Sequence, residues 1–340
     1  MSRSAASSGS APARSLRALP KAHLHLHFEA AVRRPVLADT LRGAGTLPPV
    51  RPGSGFDGFA EAYLGMIDLL AAPGMFALAF EAAARDAQEE GVVYLELAVS
   101  PHFYATAYGS AESALIAMIE AARAATARYG VQIGLMLTID RTLPVAAAEE
   151  VVALAIAHAD QGVVSIGVAN DERGYPLAPF AAAITKATAA GLAFAPHAGE
   201  LVGANAVEEA LDLDATRIEH GIRAVDDPAV VERLAAEGVC LDVCPTSNVL
   251  LGVVASFDEH PLPALLRAGV ACTINADDPT ILETGILDEY ALAREQLGLD
   301  DEELAACART SIRFSALDAA AKADALDAID AWLATPGGSA

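Results

Sequence analysis

The stretch from Lys21 to Glu29 carries residue types that can bind a metal ion or move protons, and its polar members alternate with apolar ones. Alternate side chains of an extended strand project from the same face, so the polar members are predicted to form one row of imidazoles and a carboxylate. The members of this row are His23, His25, His27 and Glu29. The apolar residues Leu24, Leu26 and Phe28 are expected to pack behind it. Such a row is typical of one half of a metal site, and the alternative is an exposed strand that is merely rich in histidine.

Three later segments end in residues with the same kind of chemistry. They are the segments Pro196 to Glu200, Glu219 to Gly221 and Asn275 to Pro279. Taken singly, each histidine among them is typical of a hydrogen-bonded barrel residue, and Asp277-Asp278 before a proline is typical of a turn or a helix N-cap. Four separate segments that each end in a suitable residue type favour a metal site over coincidence.

A hydrolytic metal ion needs three or four nitrogen and oxygen ligands and one open position for water. The candidate ligands are His25, His27, His197 and Asp277. Zinc lowers the pKa of bound water towards about 7, so His220 is a candidate either to accept the proton of that water or to orient it. Glu200 is a candidate to protonate a nitrogen of the substrate, and Asp278 is free to form a hydrogen bond with the substrate.

These residues can act together only if the segments that carry them meet at one place. Short apolar runs alternate with helical patterns along the chain. The predicted strands are the opening stretch, Val92–Val99, Val131–Thr138, Val163–Val168, Leu192–Pro196, Arg217–Glu219, Cys240–Val243 and Val270–Ile274. The predicted helices lie at 56–70, 75–90, 111–129, 145–160, 177–190, 203–211, 227–237 and 261–268. Eight apolar strands separated by helices predict the α/β class and a single (β/α)8 TIM barrel, whose C-terminal strand ends form one mouth.

The barrel is predicted to span residues 16–333, with further helical patterns outside it over Asp288–Leu297 and Asp301–Trp332. Residues 1–15 are rich in Ser, Ala and Gly and lack the apolar centre of a secretory signal, so they predict a disordered tail. Residues 334–340 are expected to fray. The segment from Pro35 to Gly55 contains repeated Pro and Gly and is predicted to be a loop or short helical excursion, a candidate cover for the site.

The formal net charge of −23 argues against nucleic acid and anionic membrane as partners, because both would be repelled. No apolar run reaches the roughly 18 uninterrupted residues that a membrane helix needs. The four cysteines form no C-x-x-C pair, which indicates a reducing compartment. We therefore expect a cytoplasmic protein, a monomer or homodimer, that acts on a small neutral or cationic molecule.

Seven motifs in this order resemble the adenosine deaminase family of the amidohydrolase superfamily, over nearly the whole ordered length. They are Leu19-Pro20-Lys21-Ala22 before His25-Leu26-His27, Val163 to Gly167 with Asn170-Asp171-Glu172, His197-Ala198-Gly199-Glu200, Arg217-Ile218-Glu219-His220-Gly221, Val243-Cys244-Pro245-Thr246-Ser247-Asn248, His260-Pro261 and Ile274 to Pro279. The resemblance implies one Zn²⁺ per chain, with the four candidate ligands named above. Binuclear members of the superfamily add a carboxylated lysine on a middle strand, and strand four here has no lysine.

The resemblance also implies roles around a purine. Glu200 resembles the acid that protonates purine N1, and His220 the histidine that orients the zinc hydroxide for attack on C6, so the catalytic residues would be Glu200, His220 and Asp277. The expected substrate-binding residues are His27, Glu29 at the ribose hydroxyls, the backbone of Asn170 at purine N3 and Asp278 at N7. Ammonia would leave, and adenosine would become inosine. His23 is expected to be a packed, supporting histidine, because relatives commonly have Glu at its position.

Several residues beside the expected pocket depart from the family pattern. They are Ala30, Ala98, Gly167, Asn170 and Glu219. Such changes can reshape the pocket, so the substrate stays open between adenosine or a close adenine nucleoside, free adenine, and a 5′-modified adenosine such as aminodeoxyfutalosine. The remaining alternatives are another amidohydrolase that cleaves an ester, lactone or cyclic amide, and an inactive relative that binds a purine.

Overall fold

Eight parallel strands follow one another around the sheet in chain order, from β1 to β8. The computed structural model describes residues 13–43, 45–48 and 55–336. The strands are β1 (Lys21–His23), β2 (Val92–Val99), β3 (Gln132–Asp140), β4 (Val163–Ala169), β5 (Ala193–Ala198), β6 (Arg217–His220), β7 (Cys240–Val243) and β8 (Ala271–Ile274). The predicted TIM barrel is thereby confirmed. The predictions for most of the N-terminal tail, the last four residues and part of the 35–55 segment lie outside the described residues.

Helices connect the strands and cover the outside of the sheet. They are α1 (Arg34–Leu41), α2 (Gly55–Leu70), α3 (Met75–Glu89), α4 (Ala105–Tyr108), α5 (Ala111–Tyr129), α6 (Val145–Ala157), α7 (Ala181–Ala189), α8 (Ala204–Asp212), α9 (Pro228–Glu237), α10 (Pro245–Leu250), α11 (Leu262–Arg267), α12 (Pro279–Leu282), α13 (Ile286–Glu295), α14 (Asp301–Phe314) and α15 (Ala319–Ala334). The helix borders follow local chemistry. The Asp227 side chain caps α9 by accepting from the Ala229 N–H, Pro228 occupies the first helical turn, and Gly238 ends the helix at φ 68°.

The barrel closes between β8 and β1 through a side chain. The Asn275 Oδ1 accepts from the backbone N–H groups of Leu24 and His25, at 2.8 and 3.2 Å. A further backbone hydrogen bond joins the His27 N–H to the Asp277 carbonyl at 3.2 Å. Residues after both strands are therefore fixed next to one another at the mouth of the barrel.

An ion cluster lies inside the barrel below the mouth. The buried guanidinium of Arg217 contacts Glu96 on β2 and, at 2.9 Å, the Asp242 carboxylate on β7. The hydroxyls of Ser165 and Thr273 donate to the same two carboxylates, at 2.7 and 2.6 Å. The charges are thus paired and hydrogen-bonded, as burial in a low-dielectric interior requires.

Two predicted elements differ from the structure. The opening strand ends at His23, and Glu29 lies in a 3-10 turn over Phe28–Ala30, so the expected unbroken extended row to Glu29 is wrong. After β1 only single bridges hold the chain, and the Asn275 side chain replaces the regular ladder. The pattern over Asp301–Trp332 forms two helices, because the Asp318 side chain accepts from the Ala321 N–H and starts a new one.

In the described ranges no helix alone is long and apolar enough to cross a membrane. Gly58–Leu70 and Met75–Glu89 meet the length and composition requirement only when taken as a pair, and they are bent by 117°.

Candidate active site

A cavity of about 460 Å³ opens at the C-terminal ends of the strands. Its lining includes predicted site residues from five segments, namely His27, Asn170, His197, Glu200, His220, Asp277 and Asp278. Apolar side chains from other segments complete it, including Phe59, Tyr63, Leu64, Ile67, Phe103 and Leu251. Parallel strands with helical crossovers place all their C-terminal ends on one face, which explains why residues from distant segments meet here.

The candidate metal ligands fall into two groups that share Asp277. The Asp277 Oδ1 is 3.3 Å from His25 Nε2 and 3.2 Å from His27 Nε2. One possible ligand atom from each of His25, His197, His220 and Asp277 lies within 4.8 Å of the others. His27 belongs to a second such group with Asp277 and Asp278. Three of the predicted ligands, His25, His197 and Asp277, thus lie in one group with His220, and the fourth, His27, contacts Asp277.

The hydrogen bonds of His25 indicate which of its nitrogens faces this cluster. Its Nδ1 lies 3.0 Å from the Asp242 carbonyl oxygen, which can only accept, so Nδ1 carries the hydrogen. Its Nε2 is fully buried and has no hydrogen-bond partner among the described residues. A buried imidazole lone pair without a partner, beside a carboxylate, fits a metal ligand.

Glu200 follows β5 in a turn that a second carboxylate holds. The Glu172 carboxylate accepts from the backbone N–H groups of Gly199, Glu200 and Val202, each at 3.2 Å. Burial, with help from the negative charge of Asp277, raises the pKa of Glu200 to about 8. Glu200 is thus a carboxylic acid at neutral pH and can donate a proton into the cavity. Glu172 lay in a motif that resembles the family, but its sequence position gave no hint of this supporting role.

Asp278 is a second buried carboxyl at the cavity. It is 1% exposed, and its Oδ1 has no hydrogen-bond partner within the described part of the chain. Burial and then the neighbouring charge of Asp277 raise its pKa well above the usual value. A protonated carboxyl that lines the cavity can donate a hydrogen bond to an acceptor on a ligand.

His220 is the last residue of β6. Its Nε2 is 3.6 Å from Glu200 Oε1 and 3.8 Å from Asp277 Oδ2. Both His220 and Asp277 have φ 61°, and Asn170 has φ 81°. Left-handed backbone is unfavourable for side chains other than Gly, and these three residues all line the cavity. The backbone is therefore strained at three positions of the site.

Glu29 takes a position that its spacing did not predict. It is 2% exposed and is not among the residues that line the cavity. The hydroxyl of Tyr63 donates to its Oε2 at 2.7 Å, and that of Tyr104 donates to its Oε1 at 2.9 Å. Tyr63 lines the cavity, so it connects Glu29 to the ligand space. Neither tyrosine was identified from the sequence, because each comes from a different helical segment.

His23 is tied to the backbone and does not face the cluster. Its Nε2 accepts from the Ala276 N–H at 3.0 Å, and the side chain is buried. Burial, and then the nearby charge of His25, lower the pKa of His23 to about 3. The neutral imidazole of His23 thus uses its Nε2 lone pair to hold the Ala276 N–H. Ala276 directly precedes Asp277, so this bond supports the segment that carries Asp277.

The five departures from the family pattern have distinct surroundings. Ala98 and Asn170 line the cavity, and the Asn170 Nδ2 donates to both oxygens of Asp140, each at 3.2 Å. Glu219 contacts His197. Ala30 packs with Ala62 and Ile281. A Cβ at Gly167 would lie 3.0 Å from the sulfur of Met136, inside the barrel.

Known proteins place this geometry in a family. A family model described as adenosine deaminase matches residues 20–332. An aminodeoxyfutalosine deaminase of Streptomyces coelicolor is 38% identical, with 93% of this chain and 86% of that protein covered. An adenine deaminase of Sinorhizobium medicae is 36% identical, with 88% and 95% covered. The crystal structure of an adenine deaminase from Arthrobacter aurescens superposes with a TM-score of 0.84 at 30% identity, over 93% of this chain and 99% of that one. The chain belongs to the adenosine deaminase family of hydrolytic aminohydrolases.

Proposed function

We propose that this protein removes the 6-amino group of an adenine nucleoside by hydrolysis, with one zinc ion held by His25, His27, His197 and Asp277. The observation that carries the proposal is Glu200. It is a buried carboxyl with a pKa raised to about 8, and it lines the same cavity as the candidate metal ligands. Hydrolysis of an ester needs no such acid, whereas attack on an aromatic ring does.

The residues present fit a zinc ion. Three imidazoles and one carboxylate are the donor types that zinc prefers, and the unpartnered Nε2 of His25 points to a ligand. When bound, zinc supplies hydroxide at neutral pH by lowering the pKa of its water. Iron, cobalt and manganese accept the same donors, so the metal content of the purified protein is part of the test.

The residues of the chain account for the other steps. The C6 atom of adenine resists addition until N1 is protonated, and protonated Glu200 supplies that proton. The proton held by Asp278 suits purine N7, which can only accept a hydrogen bond. Water adds to C6, one of its protons returns to the Glu200 carboxylate, and the other passes to the amino group. The C6–N bond then breaks, and ammonia leaves as the 6-oxopurine forms. Asn170, at the rim of the cavity, is the proposed backbone contact of N3.

The shape and charge of the cavity favour some adenine compounds over others as the substrate. Its described lining contains acidic residues, including Asp140, but no Lys or Arg. A 5′-phosphate would therefore meet carboxylates without a compensating cation, which favours an uncharged nucleoside over a nucleotide. The cavity has space beyond that needed for a base. Glu29 is the proposed acidic residue for the sugar, and it would act through the hydroxyl of Tyr63, which lines the cavity.

One observation favours a 5′-modified adenosine as the second candidate. Apolar side chains line part of the cavity, among them Leu64, which is 62% exposed, and Phe103, which is 37% exposed. Exposed apolar groups at a pocket suit an apolar or aromatic extension of the sugar. The Streptomyces coelicolor relative carries the name of such an activity.

The test is a panel of substrates with the zinc-loaded protein. It contains adenosine, 2′-deoxyadenosine, adenine, methylthioadenosine, aminodeoxyfutalosine and AMP, and the measured value is kcat/KM. The proposal predicts that adenosine or a 5′-modified adenosine gives the largest value and that AMP gives a small one. A maximum at free adenine would overturn the assignment to a nucleoside, and a maximum at AMP would overturn the argument from charge.

A further inference from the structure

We propose that a hydrogen-bond chain through His260 and Asn248 holds neutral His220 in the tautomer that carries its hydrogen on Nε2. His220 then acts towards the cavity as a donor that orients the attacking water, and does not take the proton of that water. His260 and Asn248 are positioning residues in this account, which deepens the proposed deaminase function and rests on it.

The hydrogen-bond chain begins at the backbone N–H of Leu262, which can act only as a donor. The N–H of Leu262 donates to His260 Nδ1 at 3.2 Å. A backbone N–H can only donate, so His260 Nδ1 carries no hydrogen. Burial lowers the pKa of His260 to about 4, which makes it neutral near pH 7. The single hydrogen of its ring must then be on Nε2.

The direction continues through the amide of Asn248. The Nε2 of His260 lies 3.2 Å from Asn248 Oδ1, and only the amide oxygen can accept its hydrogen. The amide nitrogen of Asn248 is then turned towards His220, and it lies 3.1 Å from His220 Nδ1. An amide nitrogen donates, so His220 Nδ1 accepts and the hydrogen of neutral His220 is on Nε2. The backbone of Leu262 thereby settles both the amide orientation and the tautomer, which distances alone leave open.

Burial makes this chain difficult to reverse. Asn248 is completely buried, and His220 and His260 are 1% and 5% exposed. No solvent competes for these groups, and reversal of one member would place two donors or two lone pairs against each other. Such a mismatch leaves buried polar groups unsatisfied, which destabilises the reversed arrangement.

His220 and His25 therefore present opposite groups to the same small volume. Their ring centroids are 4.5 Å apart. His25 donates from Nδ1 to a carbonyl oxygen and turns a lone pair towards the cluster, as a metal ligand must. His220 accepts at Nδ1 and turns an N–H towards Glu200 and Asp277. The hydrogen bonds at Nδ1 thus distinguish His25, a candidate metal ligand, from His220, a hydrogen-bond donor. Distances alone do not make that distinction.

Replacement of Asn248 by Asp tests the tautomer with almost no change in shape. A carboxylate can only accept, so it would draw the hydrogen of His220 to Nδ1 and leave a lone pair on Nε2. We expect kcat to fall by about 100-fold or more, because a misplaced imidazole tautomer is costly in hydrolases that depend on one. KM should change little, since Asn248 does not line the cavity.

The direct readout is the ¹⁵N spectrum of the histidines in the zinc-loaded protein, with the His220 signals assigned by comparison with His220→Asn. We expect a lone-pair shift for His220 Nδ1 and an N–H shift for Nε2, and the reverse in Asn248→Asp. A lone-pair shift for Nε2 in the unaltered protein would overturn the proposal. The spectrum is recorded without turnover of a substrate. Its result therefore tests the tautomer of His220 independently of the deaminase assignment.

A second pair of variants guards against misfolding of Asn248→Asp. His260→Leu removes the donor to Asn248, whereas His260→Gln keeps an amide donor, so we expect kcat to fall about tenfold in the first and to recover to within about threefold in the second. His158→Leu, which alters another buried histidine away from the cavity, is the matched control with unchanged kcat. Equal kcat values for His260→Leu and the unaltered protein would contradict the positioning role.

Discussion

His197 Nδ1 lies 2.7 Å from Glu219 Oε2, and both side chains are buried. Glu219 thus contacts a candidate metal ligand inside the barrel. A carboxylate at Nδ1 fixes the ring and leaves Nε2 as the available ligand atom, and such partners typically account for 10- to 100-fold in metal affinity.

Replacement of Glu219 by Ala is therefore expected to weaken zinc binding about 10- to 100-fold, measured by competition with a chromogenic chelator. Glu219→Gln keeps an oxygen that can accept from Nδ1 but loses the charge, so its affinity should lie between those of the Ala variant and the unaltered protein. An Ala variant with unchanged affinity would show that the contact does not support the metal.

The two histidines at the start of the chain are expected to respond differently to removal. His25→Ala should lose stoichiometric zinc, because it removes a ligand. His23→Ala should keep about one equivalent and lose about 1–3 kcal/mol of unfolding free energy, because the buried Ala276 N–H loses its acceptor. Elemental analysis and urea unfolding of both variants measure this. Loss of zinc from His23→Ala with retention in His25→Ala would contradict the ligand assignment.

The pKa of Glu200 sets an expected pH dependence. Burial and the charge of Asp277 raise this pKa to about 8, and the protonated form is the one that donates to the substrate. Ionisation of Glu200 should therefore leave kcat/KM unchanged below about pH 8 and lower it about tenfold per pH unit above about pH 8. Initial rates from about pH 6 to about pH 10 measure it. A rate that rises through pH 8 would mean that the ionised form is active.

The ion cluster inside the barrel is expected to be important for stability. Arg217→Met leaves the carboxylates of Glu96 and Asp242 buried without their cation, and should cost about 3–5 kcal/mol. The control is Arg233→Ala, which breaks 2.7 Å contacts with Asp212 and Glu237 on the surface and should cost at most about 1 kcal/mol. Urea unfolding compares the two. Equal losses would mean that the buried cluster contributes no more than a surface pair.

The barrel and the meeting of His25, His197, Glu200 and Asp277 could be predicted because both follow from strand periodicity. A parallel strand with a helical crossover sends each C-terminal end to the same face, so polar residues at those ends must converge. Their candidate roles came from the chemistry of these residue types and from the family resemblance. The family match confirms the resemblance, and the roles of the single residues stay predictions.

The rest of the site depends on side-chain contacts that periodicity does not encode. The chain leaves extended structure after His23 because the Asn275 side chain, more than 250 residues away, replaces the ladder at Leu24. Tyr63 and Tyr104 reach Glu29 from separate helical segments. These partners are distant in sequence, and their residue types are common in hydrophobic cores.

The most direct measurement of the proposed function is ammonia release from adenosine by the zinc-loaded protein and by Glu200→Gln. The account predicts one ammonia for each adenosine lost, and a Gln variant that keeps zinc but turns over about 100- to 10,000-fold more slowly. Loss of adenosine without ammonia, or a Gln variant with near-normal turnover, would contradict it.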